Sequence, residues 1–238
     1  ILAPSPKGVK PLLALFEHIH PALAKLGLPE ELVQMVPAPP SKPKTERLMQ
    51  LADLVVVTGS QANVRAGYSS GTPALGVGAG NVVSIVDETA DIADAAAKIA
   101  ASKTFDNATS CSSENAVIAV DAVYDKLVAA LAAEGGYCLD AAQTAHLEGI
   151  HWHNGKLTSK LLAKDIDVVL AETGFAGTAP DNTSFLVAPQ DEFGPDHPMT
   201  GEKMSRFLAL HRAGDFDEAM EKAVAIQNHM GAGHSLSL

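Results

Sequence analysis

Cys111 is the residue of this chain best suited to form a covalent bond with a substrate. It lies in the short polar segment 104–115, between a stretch with helical apolar spacing and the apolar run 116–120. Loops held by a rigid scaffold commonly carry reactive groups, and a cysteine thiolate attacks carbonyl carbon readily. The alternative is a buried structural cysteine, the commoner role of a lone cysteine. The residues around the thiol decide between the two.

The apolar pattern around Cys111 predicts alternating strands and helices. Short apolar runs predict four strands, at 32–36, 54–57, 82–86 and 116–120. Apolar residues spaced 3.6 apart predict four helices, at 12–26, 92–101, 122–133 and 215–230. A proline-rich connection at 37–43 precedes a short helix, and loops are predicted at 151–155, 174–181 and 191–198. This rhythm indicates an α/β fold with parallel sheets and flanking helices.

The composition excludes several classes of protein. The chain has 238 residues, 47% of them hydrophobic, and no uninterrupted apolar stretch approaches the roughly 20 residues of a membrane helix. A formal charge of −11 and scattered basic residues argue against binding nucleic acid. Two cysteines, Cys111 and Cys138, without a secretory signal indicate a reducing, cytoplasmic location. We therefore expect neither a nucleic-acid nor a membrane partner, and we expect Cys138 to serve in packing.

Five motifs surround Cys111 in a fixed order. They are AGYSSGTPALGVGAGN at 66–81, DETADI at 87–92, KTFDN at 103–107, EKMS at 202–205 and GAGHS at 231–235. In order and spacing they resemble the acylating, coenzyme A-dependent branch of the aldehyde dehydrogenase superfamily, over almost the whole chain. The resemblance implies an aldehyde dehydrogenase-like fold, with part of the cofactor domain at 1–104 and part of the catalytic domain at 105–238.

The resemblance also implies a mechanism centred on Cys111. The thiolate attacks a small aldehyde, a hydride passes to NAD or NADP, and coenzyme A takes the acyl group from the resulting thioester. Hydrolytic members of the family activate water with a glutamate in the glycine-rich loop, and the matching position here is Val77. A valine cannot remove a proton from water. The missing base favours coenzyme A as the acyl acceptor.

Four further positions match residues of this branch, three of which bind the cofactor. Ser5 and Lys7 match contacts to the adenosine end of the nicotinamide cofactor, and Glu202 matches the glutamate that holds its ribose. His234 either lines the channel for the thiol acceptor or packs. The sequence does not distinguish NAD from NADP.

Gly59, Ser60 and Gly78 are further predicted cofactor contacts, the first two assigned by their position. They follow the strongest predicted strand and precede a helix, where main-chain N–H groups can face a pyrophosphate. Gly78 lies in the glycine-rich loop 76–81, which leads into a strand and therefore lacks the usual Rossmann fingerprint. By resemblance this loop passes beside the reactive cysteine. The pair His151 and His153 lacks a cluster of carboxylate or cysteine partners nearby in the sequence, so no metal site is predicted.

The loop 109–115 resembles proteins assigned to sulfoacetaldehyde more than acetaldehyde enzymes. A sulfonate calls for a fixed arginine or lysine, and Arg65 and Arg206 are candidates; Arg206 replaces the proline that usually follows Ser205 in the family. Acetaldehyde remains an alternative substrate.

Two other functions remain open on the sequence alone. One is a cysteine hydrolase that pairs Cys111 with His234, and the other is a nucleotide-binding or assembly fragment that has lost its catalytic parts. The chain starts at Ile1 without a methionine and ends on an apolar alternation. We therefore expect an internal piece of a longer, homo-oligomeric protein, with one oxyanion donor supplied by the segment before Ile1.

Overall fold

Parallel strands and helices alternate along the chain, which confirms the α/β class. The computed structural model describes residues 1–231 and 235–238, and they form two compact units, Ile1–Gly78 and Ala79–Leu238. This division differs from the predicted boundary after residue 104, because residues 79–104 pack within the second unit. The assignment of cofactor and catalytic roles to 1–104 and 105–238 stays a prediction.

The first unit is built on a pair of short parallel strands. Its helices and strands are, in chain order, α1 (Val9–Lys25), α2 (Lys42–Leu51), β1 (Val55–Thr58), α3 (Gln61–Tyr68) and β2 (Ala74–Val77). β1 and β2 pair in register from Val55 opposite Ala74 to Thr58 opposite Val77. Val55 of β1 and Val64 of α3 are buried. The helix therefore covers one face of this strand pair, and both strands end at the same edge.

The predicted strand at 32–36 is wrong. These residues follow a 3-10 turn at Glu30–Leu32 and make a single bridge, Leu2 to Met35, supported by hydrogen bonds from Leu2 N–H to Gln34 O and from Val36 N–H to Leu2 O. Prolines at 29 and 37 flank the segment. Because proline lacks an N–H donor, a longer ladder cannot form there.

The second unit contains a six-stranded parallel sheet with the order β10-β3-β4-β9-β8-β5. Its strands are β3 (Val83–Val86), β4 (Ala116–Val120), β5 (Gly136–Cys138), β8 (Phe185–Gln190), β9 (Phe207–Ala213) and β10 (Leu236–Ser237). A small antiparallel hairpin joins β6 (Trp152–His153) to β7 (Lys156–Leu157). The helices of the second unit are α4 (Ile92–Thr104), α5 (Asp121–Ala133), α6 (Ala141–His151), α7 (Ile166–Thr173) and α8 (Phe216–Met230).

The core of the second unit lies along β4 and β9, the two central strands. Every residue of β4 is buried, and so is every residue of β9 except Arg212. Helices cover both faces of such parallel sheets, so the strands carry continuous apolar runs instead of an alternating pattern. Among the described residues, no helix combines the length and apolar character that crossing a membrane requires. The buried sheet gives the loops at its edges a rigid base.

Candidate active site

Cys111 lies exposed in the loop that connects α4 to β4. Next to it, the Ser110 and Ser112 hydroxyls are 2.9 Å apart and share a hydrogen bond. Cys138, in contrast, lies half-buried on β5 against the main core, where burial raises the pKa of its thiol. The two cysteines therefore differ as predicted: one is accessible for reaction and the other packs.

The backbone before Cys111 adopts an uncommon conformation. Asp106, Asn107 and Ala108 have φ angles of 47°, 52° and 56°, in the left-handed region that non-glycine residues avoid. Such a run persists only where its surroundings hold it. Thr109 Oγ1 donates to both the main-chain oxygen and the carboxylate of Asp106 at 2.8 Å, and Ala108 is buried. The loop is held tightly on the side that leads into the thiol.

The Asn107 side chain ties the loop to two distant segments. Its Nδ2 donates to Asp165 Oδ1 at 3.0 Å, and its Oδ1 accepts from Arg206 Nε at 2.6 Å. Asp165 precedes α7 and Arg206 precedes β9. Asn107 therefore shapes the loop, and its contacts place Arg206 against the Cys111 loop.

The base of the loop is closed by a buried lysine. Lys103, at the end of α4, is 0% exposed, and its Nζ donates to the main-chain oxygen of Glu114 at 2.8 Å. Burial lowers the pKa of Lys103 to about 7, while the negative charges of Glu114 and Glu202 act in the opposite direction. The bond joins the last turn of the helix to the residues before β4.

The segment that carries Glu202 lies beside this loop. Lys203 is also 0% exposed; its main-chain N–H donates to Asn115 Oδ1 at 2.9 Å, and its Nζ donates to the carbonyl oxygens of Met199 and Gly201. Burial holds the pKa of Lys203 well below its usual range. Glu202 itself is half-buried. The structure thus brings together two motifs, at 103–107 and 202–205, that the sequence separates by almost one hundred residues.

Sequence reasoning missed Lys103 as a site residue, although a signal was present. The buried face of α4 consists of Ala96, Ile99, Ala100 and Lys103, spaced i, i+3, i+4 and i+7. Lys103 therefore occupies an apolar position of the helical pattern. A lysine on the inner stripe of a helix, directly before a candidate nucleophile loop, indicates a buried polar contact.

Two buried histidines give the second unit a pH-dependent stability. Burial lowers the pKa of His151 and His211 to about 4 from the ordinary 6.5, and the positive charge of Lys203 acts in the same direction on each. His151 Nε2 donates to Lys203 O at 2.7 Å. The unfolded chain binds protons below pH 6.5, whereas these folded histidines do so only near 4. The free energy of unfolding should therefore fall as the pH drops from 6.5 to 4.

Urea unfolding at a series of pH values checks this expectation. His211→Gln should make the decrease between pH 6.5 and 4 shallower, because it removes one of the two groups. His153→Gln is the matched control, since His153 is exposed on the hairpin. An unchanged slope in the His211 variant would contradict the assignment.

In the first unit, Gly59, Ser60 and Gly78 meet at one edge of the strand pair. Gly59 follows β1 and has a φ of 117°, Gly78 follows β2, and Ser60 caps α3 by accepting from Asn63 N–H at 3.4 Å. A Cβ atom on Gly78 would lie 2.8 Å from Gln61 Nε2, so the main chain passes close to the first residue of α3. Carboxyl ends of parallel strands beside a helix N-terminus form the usual place for a phosphate group.

The remaining predicted residues lie elsewhere. The Ser5 hydroxyl accepts from Gly8 N–H at 3.3 Å, and Lys7 is exposed in the same 3-10 turn, beside an apolar cleft lined in part by Leu2, Pro4 and Leu12. His234 lies outside the described residues. His151 is buried and His153 exposed. Within residues 1–231 and 235–238, no three His, Cys, Asp or Glu side chains group as metal ligands would. The roles of Ser5, Lys7 and His234 stay predictions.

Comparison with known proteins gives a consistent set of matches. The sequence pattern of the aldehyde dehydrogenase family matches residues 1–135. An acylating sulfoacetaldehyde dehydrogenase from Cupriavidus necator is 50% identical over all 238 residues, which correspond to 48% of its own length. The chain therefore spans about half the length of this curated relative.

Solved structures match the fold over most of the chain. The crystal structure of an acetylating aldehyde dehydrogenase from Geobacillus thermoglucosidasius has a TM-score of 0.83 and 34% identity, covering 91% of this chain and 48% of that one. A propionaldehyde dehydrogenase from Rhodopseudomonas palustris, solved with bound propionyl-CoA, has a TM-score of 0.83 and 30% identity, covering 95% and 50%. The described fold is thus similar to that of acylating enzymes.

Proposed function

The chain belongs to the aldehyde dehydrogenase family, with acylating members among its relatives, and from this we propose that the protein containing it is an NAD(P)-dependent acylating aldehyde dehydrogenase. Cys111 is the nucleophile. One observation carries the proposal: the exposed thiol lies on a loop whose backbone adopts a conformation that non-glycine residues avoid. Hydrogen bonds within the loop and to two distant segments hold this conformation. Backbone strain of this kind is concentrated at functional sites.

The chemistry follows from the properties of the thiol. The Cys111 sulfur adds to the aldehyde carbon to give a thiohemiacetal, whose oxygen can accept a hydrogen bond from the Cys111 main-chain N–H. Loss of a hydride then gives the thioester. A nicotinamide group, when bound, supplies the hydride acceptor. The strand edge at Gly59, Ser60 and Gly78 fits the pyrophosphate of such a group, and Glu202 is the proposed ribose ligand, with Ser5 and Lys7 toward the adenosine.

Coenzyme A is the proposed acyl acceptor. Val77, at the position matching the water-activating glutamate, ends β2 and is 42% exposed, so an apolar side chain stands there without a base. A thioester that is not attacked by activated water persists until a thiol takes the acyl group. The Rhodopseudomonas palustris relative, solved with propionyl-CoA, supports this choice.

Sulfoacetaldehyde is the proposed substrate, and acetaldehyde is the alternative. The identity with the sulfoacetaldehyde enzyme supports the first, and the acetylating enzyme of similar fold supports the second. The observation that favours a sulfonate is Arg206, whose Nε is bound to Asn107 in the Cys111 loop. A guanidinium fixed in this way presents its remaining N–H groups as donors for a planar or tetrahedral anion.

Replacing Arg206 by glutamine should weaken use of the anionic substrate selectively. A hydrogen bond to a charged group contributes about 1.5 to 3 kcal/mol, so we expect kcat/KM for sulfoacetaldehyde to fall roughly 10- to 100-fold relative to that for acetaldehyde. Steady-state kinetics with both aldehydes measures this ratio. Arg65→Gln is the comparison variant, because Arg65 is the other candidate. If both substrates lose equally in the Arg206 variant, the residue shapes the loop and does not select the substrate.

Intact-protein mass spectrometry tests the proposed reaction directly. The complete protein and the 238-residue chain are each incubated with NAD or NADP and with sulfoacetaldehyde or acetaldehyde. We expect an acyl adduct confined to Cys111 that coenzyme A removes with release of acyl-CoA. Absence of any adduct in the complete protein would refute the proposal. An adduct in the complete protein alone would indicate a catalytically incomplete chain, and ester hydrolysis without nicotinamide would favour a cysteine hydrolase.

A further inference from the structure

Lys103 is placed where packing alone does not require a lysine. Its side chain is 0% exposed on the inner face of α4, which otherwise carries alanine and isoleucine. A methionine would fill a similar volume without the cost of removing an ammonium group from water. Of the three N–H groups on Nζ, one is used in the hydrogen bonds of the described residues, toward Glu114 O at 2.8 Å. This acceptor lies where the Cys111 loop ends.

The bond from Lys103 closes the base of a loop whose middle Asn107 ties to Asp165 and Arg206. Residues 103 and 114 lie on either side of the three left-handed residues and of Cys111. A second and longer contact, Ser113 Oγ to Ser102 O at 3.5 Å, crosses the same base. The Lys103 contact is therefore the shorter of the two bonds that keep the last turn of α4 beside the start of β4. If it is lost, only the longer Ser113 contact still joins residues 102–103 to 113–114, and the base of the loop can widen.

We propose that Lys103 is a positioning residue, which fixes the base of the Cys111 loop through Glu114 O and so sets where the thiol stands. It acts through the backbone and does not touch the substrate. A small displacement of a reacting group lowers a rate strongly, about 100-fold for 1 Å. The kinetic part of this inference rests on the proposed function, whereas the structural part, the order of the loop, does not.

The charge on Lys103 is sensitive to its surroundings. It is faced by Glu114 from the residues before β4, by Glu202 and Lys203 from the segment before β9, and by His151 from α6. Burial opposes the protonated amine, while the two glutamates favour it. A protonated Nζ donates a stronger hydrogen bond than a neutral one. As the pH rises through about 7, the pKa of Lys103, the base of the loop should loosen.

Lys103→Met in the complete protein tests the role, with Lys98→Met as the matched control. Lys98 lies on the same helix but is exposed, paired with Asp94. We expect Lys103→Met to lower kcat for acyl-enzyme formation about 10- to 100-fold, with KM for the aldehyde changed less than about threefold. The rate of Cys111 alkylation by iodoacetamide should change, and the pH profile of kcat should lose an ionisation near pH 7. Lys98→Met should match the wild type in all three.

Hydrogen exchange measured on the wild-type protein is a second test, and it does not depend on whether the Lys103→Met variant folds. Protection of amides in 104–113, corrected for the intrinsic pH dependence of exchange, should fall as the pH rises through 7. Protection that does not change with pH would overturn the inference, as would a folded Lys103→Met protein with wild-type kcat, alkylation rate and pH profile. Alkylation and exchange require neither aldehyde nor coenzyme A. If no acyl-enzyme forms but both respond as expected, the proposed function fails and the positioning role stands.

Discussion

Cys111→Ala in the complete protein is expected to lower kcat by at least about 10³-fold and to eliminate the acyl adduct. Without the sulfur there is no atom to form the thiohemiacetal, and removal of a covalent nucleophile is among the most damaging changes an enzyme can undergo. The measurement is the initial rate of NAD(P)H formation together with the intact mass after incubation with aldehyde. The loop itself should remain folded, since the Cys111 side chain is exposed.

Cys138→Ala is the matched control for this experiment. It removes the other thiol of the chain from a half-buried position on β5, away from the loops that carry the proposed chemistry. We expect its kcat to stay within about twofold of the wild type. If Cys111→Ala still acquires an acyl group at a specific residue, another side chain is the nucleophile and the central assignment is wrong.

Phe207→Ala should destabilise the second unit by about 3 to 5 kcal/mol, the usual cost of truncating a buried phenylalanine. Phe207 opens the central strand β9 and is 0% exposed. Its ring lies edge-on to His151, with 4.8 Å between centroids, and to Trp152, at 6.0 Å. His151 and Trp152 are consecutive residues at the junction of α6 and β6, and truncating the ring would leave a cavity beside both. Equilibrium urea unfolding measures the change in the free energy of unfolding.

The same substitution at an exposed position provides the comparison. Phe105 is 69% exposed, and Phe105→Ala should change the free energy of unfolding by less than about 0.5 kcal/mol, as surface substitutions generally do. Similar losses in the two variants would mean that the ring of Phe207 is not packed as described.

Elements with a strong local signal were predicted well. The strand Ala116–Val120 and the helices Ile92–Thr104 and Phe216–Met230 agree with the prediction within three residues at each end. The strands Phe185–Gln190 and Phe207–Ala213 were missed, because Pro189 interrupts the apolar run of the first and His211 and Arg212 interrupt that of the second. Helix Ala141–His151 was also missed, although Asp140 and Gln143 form a capping box that its sequence contains.

Only those residues of the site that a local sequence pattern marks were predictable. The motif around Cys111 and the buried-face position of Lys103 are both visible in the sequence. The partners that fix the loop, Asp165 and Arg206, are not, because they meet Asn107 through tertiary folding alone. No periodicity connects residues so far apart. The order of the parallel strands decides which distant segments meet at the edge of the sheet. Strand order is a property of the whole sheet.

The long sequence separation within the Cys111 loop has a consequence during protein synthesis. Asn107 bonds to residues 58 and 99 positions further along the chain. Because a ribosome adds about 5 to 20 residues per second, Arg206 is made roughly 5 to 20 seconds after Asn107. During that interval the Cys111 loop lacks its contact with Arg206. Its final orientation is thus acquired only after the chain has been translated past residue 206.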